Sequence, residues 1–93
     1  MIKNIAILGA GSFGTAIALH LSRTGYQVML WGHEESKVEA MQSHRENTQY
    51  LPRFKFPDNL QANADIHACI EHTDHVMIAV PSLAFYQASV ALM

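Results

Sequence analysis

The feature that most narrows the fold is a glycine cluster placed directly behind a short apolar run. Ile5-Ala6-Ile7-Leu8 is apolar at every position and ends at Gly9. Unbroken rather than alternating hydrophobicity marks a strand buried on both faces, as in a parallel sheet. The next six residues, Gly9-Ala10-Gly11-Ser12-Phe13-Gly14, spell G-x-G-x-x-G. From Ser12 to Thr24, the residues Phe13, Ala16, Ile17, Leu19 and Leu21 recur at helical spacing, and Gly25 is placed to stop the helix. A strand, a glycine turn and a helix in immediate succession form the phosphate-cradling unit of dinucleotide-binding folds. In that unit Gly9 permits the tight turn, Gly11 lets a pyrophosphate approach the backbone, and Gly14 lets helix and strand pack closely. The N–H groups and partial positive charge at the helix start then face the phosphates.

The remainder of the chain continues the alternation. Val28 to Trp31 reads as a second strand, and Glu34 to Met41 as a surface helix with acidic residues in its first turn, where the helix dipole favours them. From Arg45 to Asn59 the periodicity dissolves into an irregular segment with Pro52, Pro57, Tyr50, Phe54 and Phe56, read as pinned by its aromatics. Leu60 to Asn63 is a short third strand. Asp65 is a helix N-cap ahead of Ile66 to His72. His75 to Val80 is the strongest strand signal, ended by Pro81, and Ser82 caps a last helix through Leu83, Phe85, Val90 and Leu92. This order predicts an α/β layer architecture: a Rossmann-type half with three to four mostly parallel strands and flanking helices.

Composition closes off other classes. The chain has 93 residues, 49% hydrophobic and 15% charged. That is too apolar for a disordered segment, and the length allows one domain. No apolar run approaches the roughly 20 residues of a membrane span. A net charge of −2 gives no electrostatic reason to expect nucleic acid as a partner. The single cysteine, Cys69, cannot form an intrachain disulfide, and Met1 to Leu8 leads into glycines rather than a signal-peptide cleavage site. A cytoplasmic protein is the expectation. The chain stops at Ser89-Val90-Ala91-Leu92-Met93, inside an apolar helical pattern, so it reads as the front piece of a longer protein: an incomplete N-terminal NAD(P)-binding domain over residues 1–93.

Chemistry concentrates at the strand ends. The second strand ends in Trp31-Gly32-His33 and carries no carboxylate there to hold a ribose 2′-hydroxyl; Glu34 and Glu35 follow it. Nothing at the strand end repels a 2′-phosphate, and His33 can hydrogen-bond a hydroxyl or, protonated, favour a phosphate, so both NADP and NAD are admissible. Pro81 and Ser82 follow the last strand and would line the crevice beyond the strand ends, where ligands of open α/β sheets lie. Arg53 and Lys55 could face phosphate, although solvated surface positions are the commoner fate of such residues. His67, His72 and His75 do not form a metal-ligand pattern. Cys69 reads as a buried, inert thiol, and Met29, Met41 and Met77 as core.

Gly9 to Ala16 (Gly-Ala-Gly-Ser-Phe-Gly-Thr-Ala), Leu30 to His33 (Leu-Trp-Gly-His), Asn47 to Pro52 (Asn-x-x-Tyr-Leu-Pro), Phe56 to Leu60 (Phe-Pro-x-x-Leu) and Val80 to Ser82 (Val-Pro-Ser) occur in that order. In order and spacing the chain resembles the N-terminal part of bacterial NAD(P)-dependent glycerol-3-phosphate dehydrogenase, and the Asn47 to Pro52 segment is the most specific match. The resemblance implies an oxidoreductase that interconverts dihydroxyacetone phosphate and glycerol 3-phosphate with NAD(P)H, supplying phospholipid precursors. It implies Ser12, Phe13, His33 and Tyr50 as cofactor contacts; Phe13 stands where the family often has tryptophan. The family's catalytic lysine and substrate-phosphate groups lie in later segments. Lys3, Lys37 and Lys55 do not sit in the matching motifs, so no catalytic residue is transferred.

Two other readings fit the glycine loop: a catalytically inert dinucleotide-binding module, and the front of another dehydrogenase of the 3-hydroxyacid or 6-phosphogluconate type. The Asn47 to Pro52 segment argues against the second. The expected partners are a dinucleotide and, for the parent enzyme, a small phosphorylated substrate, with homo-oligomer formation compatible. The isolated chain is expected to lack dehydrogenase activity and to associate through the His75 to Val80 edge.

Overall fold

In a computed structural model, residues 3–49, 53–71 and 73–79 are described. β1 (Asn4–Leu8) lies inside a four-stranded sheet of order β3-β2-β1-β4, with β2 at Gln27–Trp31, β3 at Leu60–Asn63 and β4 at His75–Ile78. Every pairing is parallel. The register sets Ile7 opposite Leu30 on one side and Met77 on the other. Ile5 to Leu8 are all buried, as an apolar run with partners on both edges should be.

Side chains alternate across β1. Ile5 and Ile7 join Ala18 and Leu19 of α1 (Ser12–Arg23) and Val38 and Met41 of α2 (Glu35–His44) in one core. Ala6 and Leu8 point the other way. There α3 (Ile66–Ile70) lies along β1 and β2, with Cys69 buried beneath it. Asp65 caps α3, its Oδ1 accepting the N–H groups of His67 and Ala68.

Cys69 Sγ–H donates to the Asn63 carbonyl at 3.6 Å. Burial, reinforced by the Asp65 charge, pushes the thiol up to about 12 from an ordinary 9.0. A raised thiol pKa means that folding favours the neutral form. Its contribution to stability is therefore complete below about pH 9 and is lost as pH rises toward 12. The folded chain should resist iodoacetamide at pH 8 and react once unfolded in urea, as mass spectrometry of the alkylated protein would read directly.

Several boundaries move for identifiable reasons. α2 runs to His44, three residues beyond Met41, and ends at Arg45 in the left-handed conformation (φ 58°). That turn aims the Arg45 guanidinium back at the sheet, where it donates to the carbonyls of Pro57 (2.9 Å) and Leu60 (2.6 Å) and to Gln42 Oε1 (2.9 Å). The 45–59 segment is therefore held more by polar ties than by the expected aromatics. Phe56 is buried, but Phe54 is exposed beneath the Arg23 guanidinium, and Tyr50 lies outside the described residues. Asn59 Nδ2 donates to the carbonyls of Ser22 and Tyr26, fastening the end of this segment to the α1–β2 turn.

The helix expected after Asp65 stops at Ile70, and the strand expected to Val80 stops at Ile78; Val80 and the whole of the last predicted helix lie outside the described residues. β4 is the sheet edge among the described residues, and Met77, read from sequence as core, is exposed there with Val76. At its start the Asp74 carboxylate accepts the N–H groups of Lys3 (2.9 Å) and Asn4 (3.0 Å), bonds that hold its pKa below the ordinary carboxylate value. No helix among the described residues is long and apolar enough to cross a membrane.

Candidate functional site

The carboxyl ends of β1, β2 and β4 meet around one cleft of about 700 Å³. Its floor is the glycine turn. Gly9 adopts φ 127°, a conformation open to glycine but strained for other residues, and its N–H still reaches the Trp31 carbonyl at 2.9 Å. Gly14 sits in the first turn of α1, where an added Cβ would lie 1.8 Å from the Gly9 carbonyl oxygen. Helix and turn can approach this closely only without a side chain.

Gly11 has a different reason to be glycine. It is the N-cap of α1 with an ordinary extended backbone (φ −77°, ψ −169°), and an added Cβ would meet nothing within 4 Å. The fold itself places no steric demand on Gly11. Gly11 has no side chain with which to cap α1, and the first turn carries no acidic residue. The amino end of α1 thus keeps its attraction for an anion.

The walls rise from both sides. Ser12 and Phe13 line the cleft from the first turn of α1, and Phe13 is 70% exposed, an unusual position for a phenyl ring unless something covers it. His33 and Glu34 line it beyond β2, and Ile78 and Ala79 at the end of β4. The cleft therefore straddles β1 and β4, where successive connections leave the sheet in opposite directions. Open α/β sheets bind ligands at that switch point.

The structure brings together five of the eight residues expected at the site: Gly9, Gly11, Ser12, Phe13 and His33 line the cleft. Gly14 stands just behind it as a packing residue, and Tyr50 and Pro81 lie outside the described residues. Arg53 and Lys55 turn elsewhere. Arg53 N–H and Lys55 Nζ both bind Glu46, and the Lys55 ammonium holds the Glu46 carboxyl below its ordinary pKa.

Sequence reasoning passed over three features. Gly32 is obligatory because a Cβ there would lie 2.7 Å from Val38 Cγ2. Lys37 reaches the cleft from α2, which helical spacing from Glu34 could have indicated. Asn47 had a role hidden behind its motif. It is buried, and its Nδ2 donates to the Ala10 carbonyl and to Thr15 Oγ1, both at 2.9 Å. It thereby ties the wall formed by Thr48 and Gln49 to the glycine turn. Asn47→Ala should cost about 1–3 kcal/mol, the penalty for leaving buried polar groups without a donor. Urea unfolding of the two proteins would measure it, and an unchanged midpoint would show the tie to be incidental.

Residues 4–92 match the family model described as NAD-dependent glycerol-3-phosphate dehydrogenase N-terminus. The chain belongs to this family. It is 47% identical over 83 residues to a Legionella pneumophila protein named glycerol-3-phosphate dehydrogenase [NAD(P)+], an alignment covering 89% of this chain and 25% of that one. A Coxiella burnetii protein of the same name is 48% identical over the same length and coverage. The crystal structure of glycerol-3-phosphate dehydrogenase from Coxiella burnetii superposes with a TM-score of 0.94 at 44% identity, over 98% of this chain and 28% of that one. A diketoreductase structure at 16% identity and TM-score 0.63 shares the fold alone. This member of the glycerol-3-phosphate dehydrogenase family thus spans about a quarter of the length of the curated relatives it matches.

Proposed function

We propose that residues 1–93 are the front of the NAD(P)-binding domain of a glycerol-3-phosphate dehydrogenase. The parent enzyme would interconvert dihydroxyacetone phosphate and sn-glycerol 3-phosphate with NAD(P)H and so feed phospholipid synthesis. The observation that carries this reading is the contrast between Gly14, which the fold itself forbids a side chain, and Gly11, whose missing side chain leaves open space before a helix start. A side chain on Gly11 would project into that open space, and a pyrophosphate fits its chemistry.

In this reading the backbone from Gly9 to Phe13 receives the phosphates, Ser12 adds a hydroxyl, and Phe13 covers one face of the dinucleotide. His33 meets the adenosine ribose beyond β2. Tyr50 and Pro81 complete the contacts. The nicotinamide, when bound, supplies the hydride. The chain's own residues bind and orient it and keep water from one side; no side chain here is assigned to move the substrate proton. A cytoplasmic setting and a homo-oligomeric parent accompany the proposal.

The test joins this chain to the remaining three quarters of the Coxiella burnetii relative and follows NADH and NADPH oxidation with dihydroxyacetone phosphate. Turnover by the joined protein, and none by the chain alone, is the expected result. A folded chimera that binds NADH yet leaves dihydroxyacetone phosphate untouched, beside an active Coxiella enzyme, would refute the substrate assignment.

A further inference from the structure

The cleft lining contains one carboxylate and one permanent cation among the described residues, and they are paired. Glu34 precedes α2 and Lys37 stands in its first turn, with Nζ 3.2 Å from Glu34 Oε1. His33 Nε2 lies 3.7 Å from the same oxygen. The other acids of α2, Glu35 and Glu39, face a separate groove against β3 together with Asp65. Gly32, at the end of β2, cannot carry a side chain because Val38 occupies the space. A side chain at Gly32 would have to displace Val38, and the first carboxylate beyond β2 is Glu34.

We infer that the Glu34–Lys37 pair sets which dinucleotide the cleft accepts: Glu34 receives the 2′-hydroxyl of NAD, and Lys37 exchanges Glu34 for the 2′-phosphate of NADP. The inference rests on the proposed dinucleotide site. Both side chains are about half exposed, so their mutual attraction is weak and screened. A phosphate dianion carries more charge than the Glu34 carboxylate and so offers Lys37 a stronger partner. With a 2′-hydroxyl instead, Lys37 stays on Glu34 and neutralises it while the second carboxylate oxygen accepts the hydroxyl. A balanced pair repels neither cofactor, whereas an unpaired acid would exclude NADP and an unpaired base would favour it. Such a pair leaves the cleft open to either cofactor and makes Lys37 the residue that shifts the balance.

The experiment measures NAD+ and NADP+ binding by titration calorimetry, with 5′-AMP and 2′,5′-ADP as minimal probes. It uses the chain itself and a Coxiella burnetii enzyme carrying residues 4–79 of this chain in place of its own. Lys37→Gln should weaken NADP+ relative to NAD+ by about tenfold or more, the scale of one charge-assisted hydrogen bond. Glu34→Gln should move the ratio the opposite way, with the same signs for the two probes. An unchanged NADP+ to NAD+ ratio in Lys37→Gln, with both cofactors still bound, overturns this inference and leaves the dinucleotide site standing. Failure of both unsubstituted proteins to bind either dinucleotide overturns the site and the inference together.

Discussion

Gly11→Val should leave the sheet folded and weaken NADH binding by on the order of a hundredfold or more, about 2.7 kcal/mol at least. Two facts separate binding from folding here. The backbone of Gly11 is in an ordinary extended conformation, so valine meets no φ penalty, and its Cβ would enter open space. The branched side chain then fills the volume before the first turn of α1 that a pyrophosphate must enter. Circular dichroism melts of both proteins check the fold, and fluorescence titration with NADH checks the site. Equal affinities would mean that the glycine turn does not hold phosphate.

Gly14→Ala should do the reverse in the first instance, damaging the fold. Its Cβ would lie 1.8 Å from the Gly9 carbonyl oxygen and 3.4 Å from Ala79 Cβ. The close neighbour is backbone in a tight turn, so no side chain can swing away. Either α1 lifts from the turn or Gly9 leaves its φ of 127°. The cost should be about 3 kcal/mol, a large part of the 5–15 kcal/mol that holds a typical domain together. Chemical denaturation would show it as a lower midpoint, and binding should fall with it because Gly9 floors the cleft. Unaltered stability would mean that the turn and helix are less tightly coupled than their geometry requires.

The two glycines also show what could be read from the sequence. The G-x-G-x-x-G spacing placed the turn, the start of α1 and the packing duty of Gly14, because that duty is steric and local. Continuous hydrophobicity marked β1 as a strand buried on both faces, and Asp65 placed the start of α3. What escaped depended on residues distant in sequence. The extension of α2 to His44 follows from Arg45 finding carbonyls at Pro57 and Leu60, which no local propensity encodes. Asn47 is ordinary loop composition until Ala10 and Thr15 are seen on either side of its amide. Met77 looked like core because its strand is apolar throughout, a pattern that cannot tell an inner strand from an edge. At the site, the sequence shows no carboxylate where β2 ends, but the crowding of Gly32 by Val38 is not local enough to read from it, and the reach of Lys37 into the cleft shows only as helical spacing from Glu34.

The placement of β1 between β2 and β4 also governs the order of events as the chain emerges from the ribosome. β1 is synthesised first and acquires one neighbour once Trp31 is out, yet its other edge waits until His75 to Ile78 have been made. Throughout that interval a largely apolar strand offers unpaired backbone groups along one side. The long wait makes β1–β4 pairing a contact of high sequence separation, and such contacts form late. Asp74, binding the N–H groups of Lys3 and Asn4, is then a registration mark that the growing chain meets just ahead of β4. Nascent chains arrested before His75 should accordingly be the ones that chaperones hold, and release should follow the arrival of the fourth strand.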